Sequence, residues 1–325
     1  MHRRPLLAAF LAAPALARAQ GAYPNRAIRM LCGFPPGGTT DIAARLVSER
    51  LSARLGVPVT VENRPGATGN IATEALLHTE PDGYSLQTIS AAEGAMNYTL
   101  FGPRNPSKPE DVVQVGLLMR VPNAIFVHPS LPVHSIAELI AYAKAHPGKL
   151  NFGSTSLGGT PHMGLELLKL RTGIDLLHVP FRGAGPMLVE AMAGRVQVGS
   201  DNMPSVIGHL RDGRLRAIAV TSAQRSPALP NLPAVAETVP GFEATGWFGV
   251  QAPARVPAAI IARLGAEIDA ITREQTYRLR LAELGADPPG LTEGGGTTPT
   301  SYASFTAAEI GKWGEVIRAS GVRLE

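Results

Sequence analysis

The sequence predicts an α/β protein of two lobes, each a mainly parallel sheet flanked by helices, with a ligand cleft between them. Three observations lead there. Apolar β-type runs alternate with helical patterns along most of the chain. The 325 residues imply about two domains at roughly 100–200 residues each, and either is long enough to bury its own core. One local design, a strand followed by Gly-Gly-Thr and a helix, occurs twice, at Gly37-Gly38-Thr39 and at Gly158-Gly159-Thr160.

Taken in order, residues 1–19 read as a secretory signal peptide. His2, Arg3 and Arg4 form a basic start, residues 6–16 an apolar stretch, and Ala17-Arg18-Ala19 a small-residue cleavage pattern, so the mature chain is expected to begin at Gln20. Twin-arginine export fits less well, because Pro5-Leu6-Leu7 follows the arginine pair. Cleavage removes Arg3, Arg4 and Arg18 and no acid, which takes Lys+Arg from 30 to 27 against 26 Asp+Glu. The mature protein is nearly neutral and has no basic run interleaved with aromatics, so nucleic-acid binding is not expected. No later stretch approaches the roughly 18 apolar residues that cross a bilayer. Cys32 is the single cysteine, which excludes an internal disulfide, and its apolar neighbours mark it as a small buried hydrophobe.

The first unit begins with a strand at 28–33, which leads through Phe34-Pro35-Pro36-Gly37-Gly38-Thr39-Thr40-Asp41 into a helix ending near Leu55, where Gly56 stops it. A strand at 57–62, a turn from Asn63 to Gly69, a helix through Leu77 and a strand at 84–89 complete β-α-β-α-β. The second set opens with a strand at 125–128. A helix at 135–145 capped by Ser135 and a strand at 150–153 lead to Ser154-Thr155-Ser156-Leu157-Gly158-Gly159-Thr160-Pro161. A helix at 162–170 follows, then a strand at 176–180, a helix at 187–193, and strands at 197–199 and 215–221. The chain then returns through 247–252 to helical patterns including 258–271. These limits give one lobe from 20–123 with 226–325, and a second from 124–225.

The repeated Gly-Gly-Thr carries the chemistry. Glycine lets the backbone come close to a ligand, and the first-turn N–H groups of the following helix have no intrahelical acceptor, so such a terminus attracts anions. Two of them facing one cleft suit a molecule with two carboxylates, or with a carboxylate and another polar end. Asp41, in a first helical turn, reads as structural through the helix dipole. Asp201 follows a short strand, where it is placed to accept a hydrogen bond from a ligand amine or hydroxyl. Arg64 and Arg182 lie in cleft loops, either to pair with a carboxylate or to brace a proline-glycine turn. Enzyme signatures fail: no two histidines stand three or four apart, Ser154–Gly158 lacks the first glycine of a nucleophile elbow, and no Gly-Lys-Ser/Thr closes either glycine loop. His162 and Glu166 share a helix face but read as a first-turn polar residue and a solvated carboxylate.

Tyr23-Pro24, Phe34-Pro35-Pro36-Gly37-Gly38 with Asp41, Glu62-Asn63-Arg64-Pro65-Gly66-Ala67, Pro81-Asp82-Gly83-Tyr84, His178-Val179-Pro180-Phe181-Arg182-Gly183 and Ala219-Val220-Thr221-Ser222 with Arg225-Ser226 resemble the solute receptors of tripartite tricarboxylate transporters, the Bug-type periplasmic binding proteins. The resemblance covers essentially the whole mature chain. It implies a type II-like two-lobe fold, a periplasmic location, no enzymatic activity and no cofactor or metal. It also implies capture of a small organic anion, a di- or tricarboxylate, amino acid or aromatic acid, by a monomer that serves integral membrane permease subunits. It implies that the loops around Gly37, Asn63 and Ser90 in the first lobe, and around Ser154, Thr160 and Asp201 in the second, face the cleft; with the residue reading above, the expected ligand-facing set is Phe34, Gly37, Gly38, Thr39, Asn63, Ser90, Ser154, Thr155, Gly159, Thr160, Arg182 and Asp201. Residues 291–300 depart from the family pattern and are expected to form a surface insertion. The competing readings are a secreted α/β hydrolase or lyase using Asp41, Asp201 or His162, and a ligand-sensing subunit for a membrane kinase.

Overall fold

The computed structural model describes residues 23–323, so the expected signal peptide lies outside the described residues. In chain order the first elements are β1 (Ile28–Cys32), α1 (Thr39–Leu55), β2 (Val59–Asn63), α2 (Asn70–Leu77) and β3 (Ser85–Ser90). A π-turn at Ala92–Met96 runs into the short α3 (Asn97–Leu100), and β4 (Val112–Val121) follows. The second set is β5 (Asn123–Val127), α4 (Ile136–Ala145), β6 (Asn151–Ser154), α5 (Thr160–Thr172), β7 (Leu177–Pro180), α6 (Ala184–Met192), β8 (Val198–Asn202), α7 (Met203–Arg211) and β9 (Arg216–Val220). The chain ends with β10 (Gly246–Pro253), α8 (Ala258–Arg273), α9 (Gln275–Glu283) and α10 (Pro299–Ser320).

Two five-stranded sheets share one plan, β2-β1-β3-β10-β4 and β7-β6-β8-β5-β9. In each, four strands run one way, and the fifth, β10 or β5, lies antiparallel to both its neighbours. That antiparallel strand is in each case the first one after a crossing between the sheets. Only Pro122 separates β4 of one sheet from β5 of the other. Residues 221–245 stay with the second sheet: Ala234 bridges Val220, and the Ala244 amide donates to Thr221 O at 2.9 Å. The return crossing therefore lies at Thr245 and Gly246 rather than at 226. Asn123 and Thr221 stitch the crossings together, Asn123 Nδ2 and Thr221 Oγ1 donating to Ala244 O at 2.8 and 2.9 Å.

Local signals explain most element limits. Gly56 and Gly173 close α1 and α5 in the left-handed region, φ +70° and +69°, which only glycine adopts without strain. Ser135 caps α4 by accepting from the Glu138 amide at 3.1 Å. Ser135→Ala is expected to cost about 1 kcal/mol, read as a lower urea midpoint with unchanged slope. Two elements exceed the sequence expectation. The ten-residue β4 carries Gln114 and Arg120 in an otherwise apolar run, and α7 begins at Met203 with Pro204 in its first turn. The stretch 291–300 is only partly a surface insertion. Thr297 is fully buried and accepts from the Leu117 amide at 3.0 Å, while Thr298 caps α10. Cys32 is fully buried, and burial pushes its thiol up to about 12.

Candidate functional site

A cavity of about 40 Å³ lies between the two sheets at the ends of their parallel strands. Its wall includes the loops after β1, β3, β6 and β7, the end of β8 and the start of β10. The two Gly-Gly-Thr loops enter it from opposite sides in one shared conformation. Gly37 and Gly158 have φ +84° and +81°, and Gly38 and Gly159 have φ −77° and −75° with ψ 164° and 167°. Each left-handed glycine donates its amide to the side chain four residues on: Gly37 to Asp41 Oδ2 at 3.0 Å, Gly158 to His162 Nδ1 at 2.9 Å. Gly38 and Gly159 are the N-caps of α1 and α5, and neither helix start receives a side-chain cap. Their first-turn N–H groups therefore have no capping side chain as acceptor, and Pro161 leaves α5 one N–H fewer than α1.

Of the expected residues, Phe34, Gly38, Thr39, Ser90, Thr155, Gly159, Thr160 and Asp201 line the cavity. Four do not. Gly37 is turned outward, its amide held by Asp41. Asn63 braces the first loop from behind, donating to Phe34 O at 3.0 Å and to Asp41 Oδ1 at 2.8 Å. Ser154 is fully buried beneath the second loop, donating to Ser156 O at 3.0 Å. Arg182 is exposed, and its neighbours Gly183 and Ala184 take the wall position. Arg64, also exposed, pairs with Glu62 at 2.6 Å. Sequence reasoning misses Thr40, Ser156, Asn202, Trp247 and Phe248. The β10 aromatics arrive from a strand remote in sequence, whereas Ser156 stands beside a residue already chosen.

Asp41 keeps its structural role. Burial works against its charge, but Arg45 at 2.9 Å, the Gly37 amide and Asn63 together hold its carboxyl below the usual range. Behind the second loop, His162 and His178 stack with ring centroids 3.7 Å apart at 14°, against Phe152. Gly158 N–H donates to His162 Nδ1, so the ring proton sits on Nε2, 3.8 Å from Glu166 Oε1. Ser154 Oγ directs its proton to Ser156 O, so His178 Nε2, 2.7 Å away, donates to it. Both rings must be neutral. Burial, with the neighbouring Lys169, pulls His178 down to about 4, and burial, the facing His178 and Lys169 pull His162 to about 2.

The remaining polar wall is linked to the crossing strands. Asn202 Nδ2 donates to Asn123 Oδ1 at 2.5 Å, and Trp247 Nε1 donates to Glu309 Oε2 at 2.9 Å. Across the cleft, Thr68 Oγ1 donates to Leu157 O at 3.0 Å, and Thr39 Oγ1 approaches Ser205 Oγ at 3.4 Å. Ser90 Oγ donates to Glu93 Oε2 at 2.5 Å, and burial pushes Glu93 up to about 7. Among the described residues there is no group of three or more side chains able to hold a metal ion, and no helix long and apolar enough to cross a membrane.

Two α/β lobes closed on a small chamber, with an uncapped helix start from each, define a two-lobe solute-binding protein. Residues 43–322 match the model of the tripartite tricarboxylate transporter family receptor, TctC, and the chain belongs to that family. It is 38% identical to protein BugT of Bordetella pertussis over 306 residues, 93% of this chain and 92% of that one. It resembles the structure of R. palustris Rpa4515 with adipate (TM-score 0.88, 36% identity, 93% of this chain and 99% of that one). It also resembles MatC from Rhodopseudomonas palustris with bound malate (TM-score 0.83, 29% identity, 91% and 100%). Members of the family are periplasmic solute-binding receptors for a tripartite transporter, and the chain is a receptor of this kind, not an enzyme.

Proposed function

We propose that the chain is exported by residues 1–19, acts as a periplasmic monomer, and closes its two lobes on one small dicarboxylate, which it delivers to the membrane permease subunits of its transporter. The observation that carries this reading is the pair of helix starts, α1 and α5, uncapped by side chains and opening on one cavity from opposite lobes. Each offers backbone N–H groups and the positive end of a helix dipole, so a ligand with an anionic group at both ends satisfies both. Relatives captured with adipate and with malate support the same ligand class. In this reading the lobes pivot at Pro122 and at Thr245 and Gly246, and Thr68 and Thr39 latch the closed form. The ligand contacts are assigned to Phe34, Gly38, Thr39, Ser90, Thr155, Gly159, Thr160 and Asp201.

A thermal-shift screen of adipate, malate, tricarboxylates, amino acids and aromatic acids tests this directly. At a ligand concentration about 100 times Kd, mass action stabilises the folded state by about 2.7 kcal/mol. A dicarboxylate is expected to give the largest shift, and solution scattering to give a smaller radius with it bound. A screen in which only amino acids or aromatic acids shift the melting curve would reject the ligand class.

A further inference from the structure

We propose that Asp201 stands in the closed cavity as a neutral carboxylic acid, so that capture of a carboxylate ligand is coupled to uptake of a proton from solution. The proposal rests on the dicarboxylate reading of this cavity and adds to it the proton that accompanies the anion.

Among the described residues that line the cavity, Asp201 is the one ionisable side chain, and no lysine, arginine or histidine is present to offset it. A dianion closed in beside an ionised aspartate would set three negative charges in a small chamber of low dielectric, against backbone dipoles alone. Like charges in one site raise each other's proton affinity, as do burial and the absence of a counter-ion.

Ser205 Oγ lies 2.7 Å from Asp201 Oδ2 and 2.8 Å from Asn202 O, and its hydroxyl has one proton for two acceptors. With Asp201 ionised, one of those contacts has no hydrogen. With Asp201 protonated on Oδ2, the chain closes: Asp201 donates to Ser205, and Ser205 donates to Asn202 O. The other oxygen, Oδ1, still accepts from the Asn202 amide at 2.7 Å. Thr39, from the other lobe, approaches the same Ser205 oxygen at 3.4 Å, so the chain runs to the lobe contact.

The surroundings leave no competing charge. β5 sets Ala124 opposite Asp201, α7 sets Ser205 beside it, and α1 sets Thr39 across the cleft; none of these titrates. Asp201 is only 2% exposed, and burial pushes its carboxyl up to about 7, with the Ser205 and Asn202 hydrogen bonds opposing and no neighbouring charge contributing. Free protein near neutral pH is therefore part ionised, and closure on an anion completes protonation. Of the other buried acids near the cavity, Glu93 lies behind Ser90 and Asp41 is held behind the first loop by Gly37, Asn63 and Arg45; both are outside the wall, so a change at Asp201 alone separates it from them.

The test is calorimetric titration with adipate at about pH 8 in phosphate and in Tris, buffers whose ionisation heats differ, for the wild type and for Asp201→Asn. The wild type is expected to take up a proton, up to about one more than the variant, and its Kd to rise up to about tenfold per pH unit above neutrality. The introduced asparagine donates to Ser205 through Nδ2 without a charge, so the variant should show a slope below about twofold per unit. Equal proton uptake in both proteins overturns the proposal, and so does tight binding of an amino acid with no proton uptake. An infrared difference spectrum of wild type against Asp201→Asn, taken on free protein at about pH 6, reads the acid without any ligand. A carboxylic C=O band lost in the variant supports a neutral Asp201 even where adipate fails to bind, which would count against the ligand class alone. No such band overturns the proposal.

Discussion

Gly38→Asp is expected to abolish dicarboxylate binding while leaving the melting temperature unchanged or higher. Gly38 is the N-cap of α1 with φ −77°, a conformation open to any residue, and a Cβ there meets nothing nearer than Pro35 O at 3.6 Å. Aspartate is among the favoured N-cap residues, so its carboxylate will accept from the first-turn amides. Those are the donors assigned to the ligand, and the new side chain both occupies them and repels an anion. Losing one or two charge-assisted hydrogen bonds at roughly 1.5–3 kcal/mol each already costs tenfold or more in affinity, and repulsion adds to it. Gly38→Ala is the control for bulk alone. Gly159→Asp should also abolish binding, but a Cβ there runs into Ser156 Oγ, so it mixes strain with charge. Calorimetric titration with adipate beside melting curves decides the matter: micromolar affinity surviving in Gly38→Asp would leave the helix starts without a role in binding.

The second large effect is in the pH dependence of stability. His162 and His178 are held well below their usual 6.5, so the stability they supply is present above about pH 6.5 and is lost as pH falls towards 4 and then 2. Glu93 and Asp201 are held up near 7, so their contribution is full below the unfolded carboxylate range and is lost as pH rises through about 7. Between about pH 4.5 and 6.5 the two pairs oppose each other, and the wild type should melt at a nearly constant temperature. The double variant Glu93→Gln, Asp201→Asn removes one side of that balance. At about pH 8 it should be more stable by on the order of 3 kcal/mol per site, a shift of roughly 10 °C. The gap should close only by about pH 3, below the unfolded carboxylate range, where the wild-type acids are protonated in both states. Asp41, held low by Arg45, adds to acid loss equally in both proteins and drops out of the difference. Melting curves for the two proteins across this range check it. A gap that is constant with pH would mean that neither acid is perturbed.

Much of the fold is legible in the chain because its signals are local. The strand at β1, the αL glycines that close α1 and α5, the Ser135 cap and the Gly-Gly-Thr repeat each act within a few residues, so reading them needs no knowledge of the packing. The repeat even foretells that both loops take the same turn. What holds that turn, Asp41 in one lobe and His162 in the other, is four residues away in both cases, yet a carboxylate and an imidazole share no sequence signature.

Tertiary structure decides the rest, since burial and long-range pairing set it. Asn63, expected at the ligand, turns inward because Phe34 O and Asp41 lie within hydrogen-bond reach only once β1 and β2 pair. Ser154 is covered by its own loop, and His178 reaches it from the neighbouring strand β7. Trp247 and Phe248 join the wall because β10 crosses back to lie beside β3. The sequence by itself determined two lobes, their repeated helix-start loops and the family. Which residues face the cleft, and which acids lose their water, depends on packing between segments far apart in the chain, because desolvation has no local code.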